Sequence, residues 1–129
     1  MEQNSAPQIA IFDGLKVDEF KEIVQMIPGA ISGQADIECG TTPIQESSDG
    51  RIITGVWRCE PCDWAPMEFG DRGEFFQVLE GSMVIQEDGK EPVEAGPGVS
   101  VYTPPGWKGR WKVPSTLRKS FVSFETGPS

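Results

Sequence analysis

Polar and apolar residues alternate from Trp107 to Val113. Trp107, Gly109, Trp111 and Val113 fall on one face, and Lys108, Arg110 and Lys112 on the other. A period of two predicts a strand with one buried and one wet face. A second run starts at Glu74, where Phe76 and Val78 share the Glu74 face while Phe75 and Leu79 take the opposite one. A strand apolar on both sides is central or lies at a subunit interface. Glu74 then shares a face with a ring and a branched aliphatic, so its carboxylate must be hydrogen-bonded, paired with a cation or protonated.

The same reading predicts strands at about 51–59, 74–80, 82–87, 90–95, 99–103, 107–113 and 117–124. Asp88-Gly89 is a two-residue hairpin signal between Met83-Val84-Ile85 and Pro92-Val93. Gly96-Pro97-Gly98 and Pro104-Pro105-Gly106 are turns that cannot continue a central strand. Earlier in the chain, Val17, Phe20, Val24 and Ile27 recur at helical spacing up to Pro28-Gly29, which predicts a short helix packed on the main domain. From Gly29 to Gly50 the chain is rich in Gly, Ser, Thr and Pro, with one strand expected around Ala30-Ile31 or Ala35 to Glu38. The expected organisation is an extension over 1–48, helical or irregular and packing on a barrel, and an all-β sandwich or small barrel over 49–129.

The 129 residues suit one domain with one core. The formal charge is −9, with a net −7 in the first 50 residues and −2 in the rest. That argues against nucleic acid, which needs a basic face. There is no apolar run of the roughly 18 residues a membrane span requires. Met1 to Ala10 has neither a basic region nor an apolar stretch, so no secretory signal is expected and the cytoplasm is the default location. The chain has no histidine. This removes the commonest metal ligand and the usual general base near neutral pH.

The three cysteines, Cys39, Cys59 and Cys62, are an odd number, which fits a reducing compartment. Cys59-Glu60-Pro61-Cys62 has the spacing of a redox pair. Such pairs sit at a helix N-terminus that lowers the thiol pKa, whereas Asp63-Trp64-Ala65-Pro66 reads as turn material. The thiols are therefore expected to be structural.

Gly73-Glu74-Phe75-Phe76-Gln77-Val78-Leu79-Glu80-Gly81 resembles the end of the first cupin motif. Gly98, Pro104 and Gly106 match the spacing of the second. Trp111-Lys112-Val113 and Arg118-Lys119-Ser120-Phe121 resemble the tail of a subfamily of small single-domain cupins. That subfamily is related to the cupin domains of ureidoglycine aminohydrolases and ethanolamine-utilisation proteins. The resemblance spans about residues 50 to 124 and implies a jelly-roll barrel with a ligand cavity at its mouth. Metal-binding cupins use two histidines before the Glu and one after the second motif. By position the Glu ligand is Glu74. The upstream slots fall at Met67 and Phe69, or at Glu68 and Gly70 with a spacer one residue shorter, and the third falls at Gly109. One ligand of four survives, and a lone carboxylate does not hold a transition metal tightly. The other metal option is a carboxylate site of Glu74 with Glu68, Asp63 or Glu60.

The expected pocket is lined by Trp57, Met67, Phe69, Phe76 and Trp111, with Glu74 as its principal charge and open space at Gly109. Lys119 or Arg118 is the cation placed to reach Glu74. Glu74 reads equally as a structural carboxylate, the tryptophans as core, and Lys108, Arg110, Lys112, Arg118 and Lys119 as a solvated strand face. Tyr102, the only tyrosine, reads as structural. Two functions stay open, with catalytic residues unassigned in either. One is a metal-free, cofactor-free cupin that binds a small polar or cationic metabolite. The other is a hydrolase or isomerase resembling the ureidoglycine group. A homodimer is expected from the two apolar faces of the Glu74 strand.

Overall fold

The computed structural model describes residues 8–17, 25–27, 37–68 and 70–126. Eight antiparallel strands form one sheet folded over on itself: β1 (Gln25–Ile27), β2 (Ile37–Glu46), β3 (Ile52–Cys59), β4 (Cys62–Glu68), β5 (Arg72–Glu87), β6 (Val93–Ala95), β7 (Ser100–Thr103) and β8 (Lys108–Glu125). This is a jelly roll, and no helix occurs among the described residues.

The pairing explains the folding-over. The first half of β8 pairs with β4 and with the second half of β5. Its second half pairs with β3 and with the first half of β5. The two long strands thus pass together from one layer, β1-β2-β3-β8-β5-β7, to the other, β4-β8-β5-β6. The bend falls where the register slips between Val78 and Val84, around Gly81. Gly81 has φ +77°, and any side chain there would overlap the Thr116 carbonyl of β8. Bulges and glycines of this kind let a strand turn a barrel corner.

The apolar ends of Cys39, Cys59, Phe76, Val78, Met83, Trp111, Val113 and Leu117 fill the space between the layers. Inward and outward positions alternate along β5: Glu74, Phe76 and Val78 are buried while Phe75 and Gln77 are exposed. The Trp107–Val113 alternation is realised with Trp111 and Val113 inside. Val56 is also fully buried, but on the outer side. There the segment 8–17 crosses the sheet, with Gly14 against Leu79 and Val56. Arg118 holds it by donating from Nη1 to the Gly14 and Val17 carbonyls at 3.0 and 2.6 Å.

Several expectations need correction. Gln25–Ile27, read as the end of a helix, is strand β1 paired with β2; the rest of that helical pattern beyond Val17 lies outside the described residues. The Gly29–Gly50 stretch, read as mostly loop, holds the ten-residue β2, so part of the expected extension belongs to the sheet. Asp63 to Pro66, read as a turn, lies within β4. Pro66 is tolerated because β4 is an edge strand, paired only with β8. The expected strands 74–80 and 82–87 are one strand, as are 107–113 and 117–124. Asp88-Gly89 does turn the chain, with Gly89 at φ +79°, but pairing stops at Ile85 and Val93, so the loop exceeds two residues.

Replacing Gly81 by Ala is expected to cost about 1–2 kcal/mol for the left-handed backbone and about 1–3 kcal/mol more for the overlap with Thr116. Gly89→Ala, where the space is open, should show only the backbone cost. Urea unfolding midpoints of the two variants check this.

Candidate functional site

A cavity of about 660 Å³ opens between the layers, lined by residues of β2, β3, β4, β5 and β8. Its size lies in the range of small-molecule sites, about 300–1,000 Å³. Gly55 lets the β2 backbone and the Phe121 ring pack close to β3: a Cβ there would stand 2.5 Å from the Thr42 carbonyl oxygen and 3.1 Å from the Phe121 ring. Trp57 and Trp111 form one wall, with ring centroids 5.2 Å apart at 35°.

The charge at the centre is a pair. Lys119 Nζ donates to Glu74 Oε1 at 3.1 Å, with the side chains only 5% and 12% exposed. Register explains how they meet. Lys119 lies between Trp57 of β3 and Val78 of β5, while Glu74 lies four residues earlier on the inward face of β5. The lysine must run along the sheet past Phe76. Its ammonium accordingly sits 3.8 Å from the Phe76 centroid and 4.8 Å from that of Trp57. Two aromatic faces and a carboxylate replace the water that the ammonium gives up. Lys119 is thus the partner that Glu74 required, and it does not lie on a solvated face.

The other charges lie toward the rim. Glu46 and Glu68 line the cavity and are exposed. Arg72 also lines it, but donates to Ser123 Oγ at 2.8 Å and approaches Glu125 at 4.0 Å. Glu60 and Asp63 are not on the wall: Glu60 pairs with Arg58, and Asp63 accepts from the Trp64 amide. Among the described residues, no three Cys, Asp or Glu side chains are grouped to hold a metal.

Of the residues singled out from sequence, Trp57, Met67, Glu68, Glu74, Trp111 and Lys119 line the cavity together. Phe76 does not; it is fully buried beneath the Lys119 ammonium. Phe69 lies outside the described residues. Gly109 does not leave open space, because a Cβ there would stand 2.5 Å from the Trp107 ring and from the Gln86 carbonyl oxygen. Arg118 faces outward, bound to the segment 8–17 and to Glu80 at 3.5 Å. Arg110 and Lys112 sit over the Trp64 ring at 4.5 and 5.2 Å. Sequence reasoning missed Arg72, Phe121 and Ser123, although the alternation of 117–124 puts Lys119, Phe121 and Ser123 on one face. The wall from β2, with Thr41 and Pro43, had no signal once that stretch was read as loop.

Beyond the wall lie the thiols. Cys39 and Cys59 are buried, directly opposite each other on β2 and β3, and none of the three cysteines is in a disulfide. Burial pushes each thiol above its ordinary pKa, most strongly for Cys59. A raised thiol pKa means that the folded chain holds its protons longer than the unfolded one. This contribution is intact at neutral pH and lost as pH climbs above about 8.5.

Two expectations follow. Glu74→Gln leaves the Lys119 charge buried without its counter-ion and should cost about 3–5 kcal/mol, whereas the double change Glu74→Gln with Lys119→Met should recover most of that loss. A denaturation cycle at neutral pH measures the coupling. Stability should also fall between about pH 8.5 and 10, less steeply in Cys59→Ala, as read from urea midpoints across that range.

A family model described as EutQ-like cupin domain matches residues 46–121. The EutQ protein of Clostridium difficile superposes with a TM-score of 0.60 at 18% identity, covering 80% of this chain and 78% of that one. A putative ethanolamine utilization protein Q from Salmonella typhimurium gives 0.59 at 17% identity, covering 85% of this chain and 100% of that one. Ectoine synthase from P. lautus gives 0.67 at 14% identity, covering 91% and 78%. At these identities the likeness is one of fold. No curated protein matches the chain.

Proposed function

The chain belongs to the EutQ-like cupin domain family, and we propose that its cavity binds a small polar or cationic metabolite without a resident metal. The observation that carries this reading is the Lys119–Glu74 pair set in an aromatic-walled cavity of about 660 Å³. The donor set does not fit a transition metal. Glu74, the one acidic ligand carried over by position, already accepts from an ammonium. A transition metal needs several more ligands than this one carboxylate, and Met67 and Gly109 offer nothing comparable to an imidazole.

What the pair does offer is both signs of hydrogen bond in a dry place. The carboxylate accepts and the ammonium donates, so a ligand with adjacent donor and acceptor groups can bridge them. A cationic ligand competes instead with Lys119 for Glu74. The exposed Glu46 and Glu68 at the rim, on a chain of net charge −9, favour its approach. The odd count of three cysteines supports a reducing compartment, the cytoplasm.

The test combines metal analysis of the purified protein with thermal shifts against small amines, amides, ureides and hydroxy acids. Expected are substoichiometric metal and a saturable shift from at least one class, on the order of 2.7 kcal/mol of stabilisation at a hundredfold excess over Kd. The shift should be lost in the Glu74→Gln, Lys119→Met double variant. Stoichiometric manganese, nickel or zinc, or equal binding by that variant, overturns the reading.

A further inference from the structure

Lys119 is the one lysine on the cavity wall among the described residues, and the only one of them that is buried. Surface amines such as Lys90, whose side chain is 69% exposed, are held as ammonium ions by water. Lys119 instead sets its nitrogen against the Phe76 and Trp57 rings and beside the Glu74 carboxylate. The two groups already share a 3.1 Å hydrogen bond. Moving the proton along it, from Nζ to Oε1, turns two buried charges into a neutral amine and a neutral acid. Burial penalises charge, so the dry site favours that exchange more than water would. A free amine, the form that attacks carbon, is one proton transfer away, and the acid formed beside it holds the proton that a leaving oxygen needs. A counter-ion alone would not have to open onto a cavity. Both side chains do.

The neighbouring wall lacks an acceptor. Trp111 is 4% exposed, and its indole N–H is buried without a hydrogen-bond partner. Its ring stands 5.2 Å from that of Trp57, over which the ammonium lies. A buried donor left unmade costs free energy, and a ligand oxygen on this wall would remove that cost. Ile53, Met67 and Phe121 make other parts of the wall apolar. An amine, a proton carrier and a spare donor among apolar side chains suit a small molecule with one carbonyl group and a short hydrocarbon body.

We propose that Lys119 is a nucleophile that forms an imine with a small aliphatic aldehyde or ketone, with Glu74 carrying the proton. The proposal rests on the reading of the cavity as a small-molecule site and names the chemistry of what it takes. Glu74 accepts a proton from Nζ, and the nitrogen lone pair bonds to the carbonyl carbon while the C=O π electrons move to oxygen. The oxygen takes a second proton from the nitrogen, giving a carbinolamine. Glu74 returns its proton to the hydroxyl, the C–O bond breaks as the nitrogen lone pair forms C=N, and water leaves. One ammonium, one carboxylate and one carbonyl become one iminium, one carboxylate and one water, and no oxidant or reductant is needed. Glu74 faces a positive nitrogen before and after, and the planar iminium keeps its place against the two rings.

The test treats the full chain at neutral pH with limiting propanal and cyanoborohydride, which reduces an imine to a stable propylamine, and maps each added propyl group by peptide mass. Among the lysines, Lys119 should be labelled first, about tenfold or more faster than the exposed Lys90 and Lys108. Exposure alone predicts the reverse order. Glu74→Gln, whose amide can neither take the ammonium proton nor return one, should slow labelling of Lys119 by about a hundredfold and leave Lys90 unchanged. Circular dichroism verifies that this variant is folded, and the wild-type map stands as the test should it not be. Labelling of Lys119 no faster than that of Lys90 overturns the proposal, and so does an unchanged Lys119 rate in folded Glu74→Gln. Neither result touches the binding reading: a saturable thermal shift from a small amine or amide, with Lys119 unlabelled by propanal, means a binding site without a covalent step.

Discussion

The pairing of β5 with β8 is the constraint from which the rest of the structure follows. These strands, 16 and 18 residues long, stay hydrogen-bonded to each other across both layers. Every other strand except β1 and β2 attaches to one of them directly: β3 and β4 to β8, β6 and β7 to β5. The bend at Gly81 turns one ladder into two facing surfaces, and the space between them is the cavity. Fold and site are therefore inseparable, since Glu74, Phe76, Trp111 and Lys119 all belong to this pair of strands. Contacts that join positions some forty residues apart must form against a large loop entropy, so this topology favours slow folding.

An ion pair inside such a cavity is not an obvious source of stability. Desolvating two charges offsets most of their attraction, and a well-packed apolar pair of similar volume would do as well or better. What the pair adds is directional chemistry in an otherwise aromatic pocket. Lys119 is held at its head by Glu74 and along its path by Phe76 and Trp57. The cost of burying Glu74 is thereby met from within the chain. Trp57 is tied in turn to the barrel floor, because its indole N–H bonds the Cys39 sulfur and holds that thiol's pKa down against the effect of burial.

The legible parts of the sequence were those where local pattern and tertiary role agree. Alternation at Trp107–Val113, the need of buried Glu74 for a partner, and the turns at 96–98 and 104–106 read correctly because strand period, burial cost and backbone sterics act within a few residues. The illegible parts were settled by distant partners. Ile37–Glu46 has the composition of a loop, yet it is a strand because β3 offers it an edge. Gln25–Ile27 sits in a helical pattern but pairs with β2. Gly109 suggested vacancy, whereas the ring of Trp107, two residues away, closes over it. In the site, residues of β5 and β8 could be found from alternation, while the β2 wall could not.

Register ties the inside of the barrel to its outside. Side chains on a strand alternate, so a slip of one residue along β5 would send Glu74 into water and drive Phe75 into the cavity. Glu74 would lose Lys119, leaving an unpaired ammonium between two rings, and Phe75 would leave Tyr102. Two glycines oppose the slip from either end. Gly73 is the position on β5 where the Phe124 ring can lie flat, and Gly81 is the one that passes the Thr116 carbonyl. Moving either by one residue sets a side chain against that ring or that carbonyl. The buried ion pair and the exposed pairing of Phe75 with Tyr102 are thus two readings of one alternation, held in phase by residues that have no side chain.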